Sequence, residues 1–189
     1  MLGEKDASRI AFAMNTTDAL NMAIHGALRT GDHVISTLIE HNSVLRPLSE
    51  LSRSGVITLT LIPPDGEGRI RAQDVERAVT PRTRLIVMTH MSNVLGMEQD
   101  VAAVGAVCRR RGLLFLVDAA QTAGHLPLEP GKWGCTMLAA PGHKGLLGPH
   151  GTGALWVADG VTLAPLRQGG TGSASESMFQ PRIMPDSLE

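Results

Sequence analysis

The sequence predicts a three-layer α/β/α domain built around a mostly parallel β-sheet. Short apolar runs alternate with amphipathic segments along most of the chain, which is typical of repeated β-α-β units. The 189 residues are enough for one domain with a substantial core. In this architecture ligands bind at the carboxyl ends of strands, so candidate functional residues should directly follow the apolar runs.

Four helices are predicted from apolar periodicity and from the polar residues at their ends. They are Thr17 to Leu28, Ser43 to Ser54, Ala72 to Val79 and Asp100 to Arg111. Pro47 must lie in the first turn of the second helix or kink it. Asp100 is predicted to cap the fourth helix, and a run of three arginines ends it, where positive charge suits the helix dipole.

Six strands are predicted from short apolar runs. They are His33 to Leu38, Val56 to Ile62, Arg84 to Met88, Leu113 to Val117, Met137 to Ala140 and Ala154 to Val157. From Gln168 onward the sequence is rich in glycine, serine and proline and shows no clear closing element.

The composition argues against several classes of function. The net charge is −1 and the chain has three Phe, two Trp and no Tyr, so no nucleic-acid partner is expected. No apolar run approaches the roughly 20 residues of a membrane helix, and the start lacks a signal-peptide core. Cys108 and Cys135 form no CxxC motif or Cys/His cluster, so no metal site is expected. We therefore expect a cytoplasmic protein with reduced thiols and no membrane partner.

Two charged residues stand where a ligand would bind. Asp118 ends the run Leu-Leu-Phe-Leu-Val, and Gln121 follows three residues later. A buried carboxylate needs a cationic or hydrogen-bonding partner, and a helix cap or structural ion pair is the alternative explanation. Lys144 lies in a glycine-rich loop that would enclose its amine and free it as a nucleophile, and a plain turn-rich loop is the alternative.

Three polar segments could supply further contacts. Thr16 and Thr17 open the first predicted helix, where hydroxyls and free amides can cradle a phosphate, although Thr17 could be an ordinary cap. His41 follows a predicted strand and could lie on an aromatic ligand or relay protons, or simply be solvated. Asn93 follows the third strand and could donate to a ligand oxygen or form a turn.

In this order the motifs resemble the class V group of fold-type I pyridoxal-phosphate enzymes, which contains cysteine desulfurases and selenocysteine lyases. The resemblance extends from about Arg9 to Glu189. Its most specific segments are Thr-Thr-Asp-Ala-Leu-Asn, Glu-His-Asn-Ser, Ser-Asn-Val-Leu-Gly, Val-Asp-Ala-Ala-Gln and Gly-His-Lys-Gly-Leu-Leu-Gly-Pro. It implies a PLP-dependent transferase-like large domain with pyridoxal 5′-phosphate (PLP) as cofactor.

The resemblance implies catalytic roles for Lys144 and His41. Lys144 would hold the cofactor aldehyde as a Schiff base, and His41 would stack on the ring and shuttle protons. Asp118 would pair with the pyridine nitrogen and keep it protonated, which makes the ring an electron sink.

The resemblance also implies the remaining cofactor contacts. Gln121 would hydrogen-bond the ring hydroxyl, and Asn93 would support the same edge. Thr16, Thr17 and His143 would hold the phosphate.

The sequence departs from the family pattern in two residues and in length. The family usually has glycine at Asn15 and often serine at Pro141. Residues 1–189 are expected to be the PLP-binding large domain, without the family's N-terminal segment and C-terminal small domain. In the family, the C-terminal half normally carries the arginine for the substrate carboxylate and, in desulfurases, the sulfur-accepting cysteine. Neither Cys108 nor Cys135 matches that cysteine, and both are expected to be structural.

The implied activity is desulfuration of L-cysteine to L-alanine with persulfide sulfur. Another class V transamination, epimerisation or lyase reaction is the first alternative, and a non-catalytic truncated fragment is the second. The implied partners are a small amino-acid substrate, a second copy in a homodimer and a sulfur-acceptor protein. This chain alone is expected to be inactive.

Overall fold

A seven-stranded β-sheet forms the centre of the protein in the computed structural model, which describes residues 6–173 and 176–189. In chain order the elements are β1 (Ile10–Ala13), α1 (Thr16–Ala27), β2 (His33–Thr37), α2 (Asn42–Arg53), β3 (Thr58–Ile62), α3 (Ala72–Ala78), β4 (Thr83–Thr89), α4 (Val101–Arg111), β5 (Leu114–Asp118), α5 (Pro130–Trp133), β6 (Met137–Pro141) and β7 (Gly153–Val157). A 3-10 turn, Ala7–Arg9, precedes β1.

The strand order across the sheet is β1-β7-β6-β5-β4-β2-β3. Strands β2 to β6 are parallel to one another, and β7 runs antiparallel to both β6 and β1. The predicted mostly parallel sheet is therefore confirmed, with β7 as the reversed strand.

Helices cover both faces of the sheet. Successive side chains of a strand point to opposite faces. In β4, Leu85 and Val87 pack in the cluster formed with α1 and α2, whereas Ile86 and Met88 pack in the cluster formed with α3 and α4. The three predicted layers are confirmed, and burial on both faces explains why the strands are continuous apolar runs.

The predicted elements agree with the structure to within two residues at their ends, with one correction. Pro47 lies in the second turn of α2, not in the first, and the helix continues beyond it to Arg53. Proline has no N–H group, so the carbonyl four residues earlier, at Ser43, loses its helical partner.

Two elements were not predicted, because each is too short to show a period. Strand β1 has four residues and is placed by its antiparallel pairing with β7 at the sheet edge. Helix α5 is a single turn that begins at Pro130 and ends before Gly134, whose φ of 73° is the left-handed conformation that favours glycine.

The predicted ends of α4 are confirmed. The Asp100 side chain accepts a hydrogen bond of 2.9 Å from the Ala103 amide at the start of the helix. The basic run lies in the last turn, where Arg110 and Arg111 also pair with Glu76 of α3 at 3.1 and 3.3 Å. These contacts tie α3 to α4 on one face of the sheet.

Within residues 6–173 and 176–189, no helix is both long enough and apolar enough to cross a bilayer. No group of three or more His, Cys, Asp or Glu side chains in the same ranges could hold a metal ion.

Gly105 lets α4 and α5 approach each other closely. A Cβ atom added at Gly105 would lie 1.6 Å from the Trp133 backbone oxygen. Gly105→Ala should therefore force the two helices apart and lower the free energy of unfolding by about 2 kcal/mol or more, as measured by urea denaturation. Gly131→Ala is the control, because an added Cβ there meets no atom within 4 Å. Equal stability of the two variants would contradict this packing.

Candidate active site

A cavity of about 310 Å³ opens at the carboxyl ends of the parallel strands. It is lined by all eight residues that the sequence singled out: Thr16, Thr17, His41, Asn93, Asp118, Gln121, His143 and Lys144. Seven further residues complete its wall: Asn15, Leu20, Ser43, Thr89, Met91, Ser92 and Ala120. The structure thus brings all eight residues together around one cavity.

Asp118 is the last residue of β5 and is 3% exposed. Its Oδ1 atom accepts a hydrogen bond of 2.8 Å from the Ala120 amide. Burial raises the pKa of the Asp118 carboxyl, while the Ala120 hydrogen bond and the charges of Lys144 and His41 act in the opposite direction. Asp118 caps no helix and has no ion pair within 4 Å among the described residues, so neither alternative explanation applies.

Lys144 lies in the loop between β6 and β7. Close backbone hydrogen bonds shape this loop: Leu147 donates to the Lys144 carbonyl at 2.9 Å, and Gly148 donates to the Gly142 carbonyl at 2.8 Å. The expectation that the loop encloses the lysine is wrong, because Lys144 is an exposed residue. Lys144 also lines the cavity, so it is accessible to a ligand there.

The amino end of α1 forms a second wall of the cavity. Asn15, not Thr17, caps the helix, and its side-chain oxygen accepts a hydrogen bond of 2.9 Å from the Asp18 amide. Thr16 and Thr17 therefore lie in the first turn, where backbone amides and the helix dipole favour an anion. Gly153 of β7 allows this approach, because a Cβ there would come within 2.7 Å of the Asn15 backbone.

His41 is an exposed residue whose side chain caps α2. Its Nδ1 atom accepts a hydrogen bond of 3.1 Å from the Ser43 amide and lies 2.8 Å from the Ser43 hydroxyl. The same hydroxyl is 2.7 Å from that of Thr17. Since Nδ1 accepts from a backbone N–H, a neutral His41 carries its proton on Nε2.

Asn93 lies in a turn that Ser92 closes. The Ser92 hydroxyl accepts a hydrogen bond of 3.3 Å from the Val94 amide, and the Ser92 carbonyl accepts one of 2.9 Å from Gly96. The turn therefore does not depend on the Asn93 side chain, which lines the cavity with Gln121.

The His143 ring has a buried nitrogen without a partner. Its Nδ1 atom has no hydrogen-bond partner in the described part of the chain, and the ring stacks on His150 with centroids 4.8 Å apart. A buried polar atom without a partner is costly, so this nitrogen beside Lys144 is a candidate contact for a ligand.

Sequence reasoning missed two polar residues of the site. Asn15 was noted only as a departure from a family glycine, although an Asn before a predicted helix is a strong cap signal. Ser43 belongs to a quoted motif, but its link between Thr17 and His41 depends on the packing of α1 against α2. Local sequence contains no signal for that contact.

The fold and the cavity together define an α/β ligand-binding protein in which an accessible lysine and a buried acid line the same site. The family model described as Aminotransferase class-V matches residues 1–186, and the chain belongs to this family. Members of the family depend on PLP.

Similar proteins include several cysteine desulfurases. A “Probable cysteine desulfurase” from Methanothermobacter thermautotrophicus is 40% identical over 167 residues, which cover 87% of this chain and 42% of that protein. “Cysteine desulfurase IscS” from Photorhabdus laumondii is 38% identical over 156 residues, which cover 80% of this chain and 38% of that protein. The chain thus spans less than half the length of these relatives.

Solved structures give the same comparison. “SspA in complex with cysteine” is 34% identical with a TM-score of 0.85, and the match covers 99% of this chain and 54% of that one. Cysteine desulfurase CsdA from Escherichia coli is 26% identical with a TM-score of 0.90, and the match covers 100% of this chain and 49% of that one.

Asp118→Asn should stabilise the chain in the absence of added cofactor at neutral pH. Because the folded state raises the Asp118 pKa, its contribution to stability is full below the pKa of an unfolded aspartate, about 3.9, and is lost as pH rises through the folded value. The free energy of unfolding that the variant gains over the wild type, measured by urea denaturation, should therefore be larger at about pH 7 than at about pH 4.

Asp32→Asn is the control for this prediction. Asp32 also accepts one backbone hydrogen bond, of 2.8 Å from Arg29, but it does so in a surface turn. Its stability difference from the wild type should stay small and flat over the same pH range. If Asp118→Asn gains the same free energy of unfolding at the acidic and the neutral end of this pH range, burial does not raise the Asp118 pKa.

Proposed function

We propose that the chain is the cofactor-binding large domain of a PLP-dependent cysteine desulfurase that converts L-cysteine to L-alanine and delivers persulfide sulfur. The observation that carries the proposal is the convergence of Asp118, Lys144 and His41 on one cavity at the carboxyl edge of the sheet. Membership of the class V family and similarity to cysteine desulfurases support the choice of reaction.

The residues present fit the cofactor. PLP has an anionic phosphate, a basic ring nitrogen and an aldehyde, and it supplies an electron sink for bonds at the amino-acid Cα atom. The first turn of α1, with Thr16 and Thr17, suits the phosphate, and His143, whose Nδ1 lacks a partner, would be a further phosphate contact. Asp118 would hold the ring nitrogen through Oδ2, since Ala120 already occupies Oδ1. Gln121 and Asn93 would contact the ring hydroxyl.

The two proposed catalytic groups have different tasks. Lys144 offers a primary amine to the cofactor aldehyde, and its exposure lets an incoming amino acid reach the same point. His41 is held at Nδ1 by Ser43, so Nε2 is the atom that would exchange a proton. The hydroxyls of Ser43 and Thr17 continue this hydrogen-bonded chain toward the proposed phosphate site.

The sulfur acceptor is proposed to be a cysteine other than those of this chain. Cys108 and Cys135 are both buried, and burial raises the pKa of Cys108 to about 12. Burial also raises the pKa of Cys135, so neither sulfur is present as a nucleophilic thiolate at neutral pH.

Cytoplasmic location, a homodimer and a sulfur-acceptor protein complete the proposal. The two free buried thiols suit a reducing compartment. Exposed apolar side chains beside the cavity loops, among them Val94 and Leu147, suit contact with a second copy.

Lys144→Ala should abolish covalent retention of PLP. Borohydride reduction of the wild type incubated with PLP is expected to add the cofactor mass to the peptide that contains Lys144, because reduction makes the lysine linkage permanent. Lys132→Ala is the control, since Lys132 is exposed on α5 and pairs with Glu129 at 2.5 Å. Cofactor mass on Lys132 alone, or on no peptide, would contradict the proposal.

Replacement of Cys108 and Cys135 by alanine in the full-length enzyme should leave the rate of alanine formation from L-cysteine nearly unchanged. Both thiols are buried and held as thiols, so they cannot accept sulfur. The measurement is amino-acid analysis of protein incubated with PLP and L-cysteine, with unfolding curves to separate packing effects from chemistry. Loss of alanine formation in a stably folded variant would place the acceptor in this chain.

A further inference from the structure

Glu40 is a buried carboxyl that the proposed mechanism does not use. It lies between β2 and α2 and is 7% exposed. Its Oε1 atom accepts two hydrogen bonds, one of 2.5 Å from the Thr37 hydroxyl and one of 3.0 Å from the Thr89 amide. The side chain thus joins the carboxyl ends of β2 and β4, and Thr89 lines the cavity.

The other carboxyl oxygen, Oε2, is buried and has no hydrogen-bond partner in the described part of the chain. In an ionised Glu40 this oxygen would carry negative charge in a site without a compensating donor, which is among the most costly arrangements in a protein. In a neutral acid, Oε1 is the carbonyl oxygen with two donors and Oε2 carries the proton. That hydroxyl also has no partner among the described residues, but a buried hydroxyl without a partner costs far less than a buried charge. The burial of Oε2 therefore favours the neutral acid.

The pairing of β4 with β5 brings Glu40 close to Asp118. Thr89, whose amide donates to Glu40, stands opposite Asp118 in the β4–β5 pairing. Burial raises the pKa of Glu40 to about 8, the Thr37 and Thr89 hydrogen bonds lower it, and the charge of Asp118 raises it. The charges of Lys144 and His41 act on Asp118 and lower its pKa.

We infer that Glu40 is a positioning residue kept as a neutral acid, so that Asp118 is the single carboxylate that acts on a ligand at this edge of the sheet. Ionisation of Glu40 at alkaline pH places a second negative charge behind the cavity wall at Thr89. In the cofactor-loaded protein, a consequence that rests on the proposed function, this second charge favours the protonated form of the PLP ring nitrogen.

The first test needs no cofactor. Glu40→Gln keeps both acceptor contacts and removes the titration. Because the pKa of Glu40 is higher in the folded state than in the unfolded state, the wild type loses stability as pH rises. The loss runs from the unfolded glutamate pKa of about 4.3 to the folded value of about 8. The folding equilibrium constant of Glu40→Gln should therefore gain up to about tenfold on the wild type for each pH unit in this window.

Glu67→Gln is the control for the charge change, because the Glu67 side chain is 79% exposed. The ratio of its folding equilibrium constant to that of the wild type should stay constant with pH. If the ratio of folding equilibrium constants between Glu40→Gln and the wild type is also constant over this pH window, Glu40 is already ionised in the folded protein. That result would overturn the inference.

A second measurement uses the wild type and does not depend on folding of a Glu40 variant. Carbon-13 NMR of chain labelled at the glutamate carboxyl groups should show one resonance with a midpoint near pH 8. Asp118→Asn should move that midpoint toward acid, because it removes the charge that raises it. Titration of every glutamate below about pH 6 would contradict the neutral acid, and an unmoved midpoint would contradict the coupling.

The third test uses the PLP-loaded protein and absorbance as the readout. The wild-type visible spectrum should change with the Glu40 ionisation, and Glu40→Gln should lack this alkaline transition. Identical titrations of the two loaded proteins would overturn the link to the cofactor. A protein that binds no PLP would overturn the proposed function, while the denaturation and NMR results would still decide the charge of Glu40.

Discussion

Burial of the Asp118 carboxyl at the end of β5 is the constraint on which the site depends. A carboxylate that is almost excluded from water is costly unless donors and cations face it. The Ala120 amide, Lys144 and His41 all favour the charged form, yet burial outweighs them and the pKa stays raised. Ionisation of Asp118 in the folded domain is therefore unfavourable, and a cationic ring nitrogen would offset this cost. Such an arrangement is typical of residues retained for binding and chemistry at a cost in stability.

The parts of the fold that sequence alone predicts are those with a repeated signal. Apolar runs such as Leu114–Asp118 are buried on both faces, so their pattern is strong enough to locate the central strands. Because strands β2, β4 and β5 are parallel, their carboxyl ends meet at one edge, and polar residues that follow them converge. This rule explains why His41, Asn93 and Asp118 share a cavity although they are far apart in sequence.

The features that sequence reasoning missed depend on contacts between distant segments. Strand β1 exists through pairing with β7, and the exposure of Lys144 depends on the path of its loop rather than on its glycines. Glu40 stands in a quoted motif, but its burial and its contact with the Thr89 amide require β2 and β4 to be neighbours. Single-sequence patterns carry local periodicity and cap signals and do not contain these long-range contacts.

The proposed function requires one PLP ring to lie between Lys144 and Asp118. The most direct measurement is a crystal structure of the protein soaked with PLP. The expected result is density continuous from Lys144 Nζ to the cofactor, with the ring nitrogen within hydrogen-bonding distance of Asp118. A cofactor bound elsewhere, or one whose ring nitrogen faces away from Asp118, would contradict the central claim.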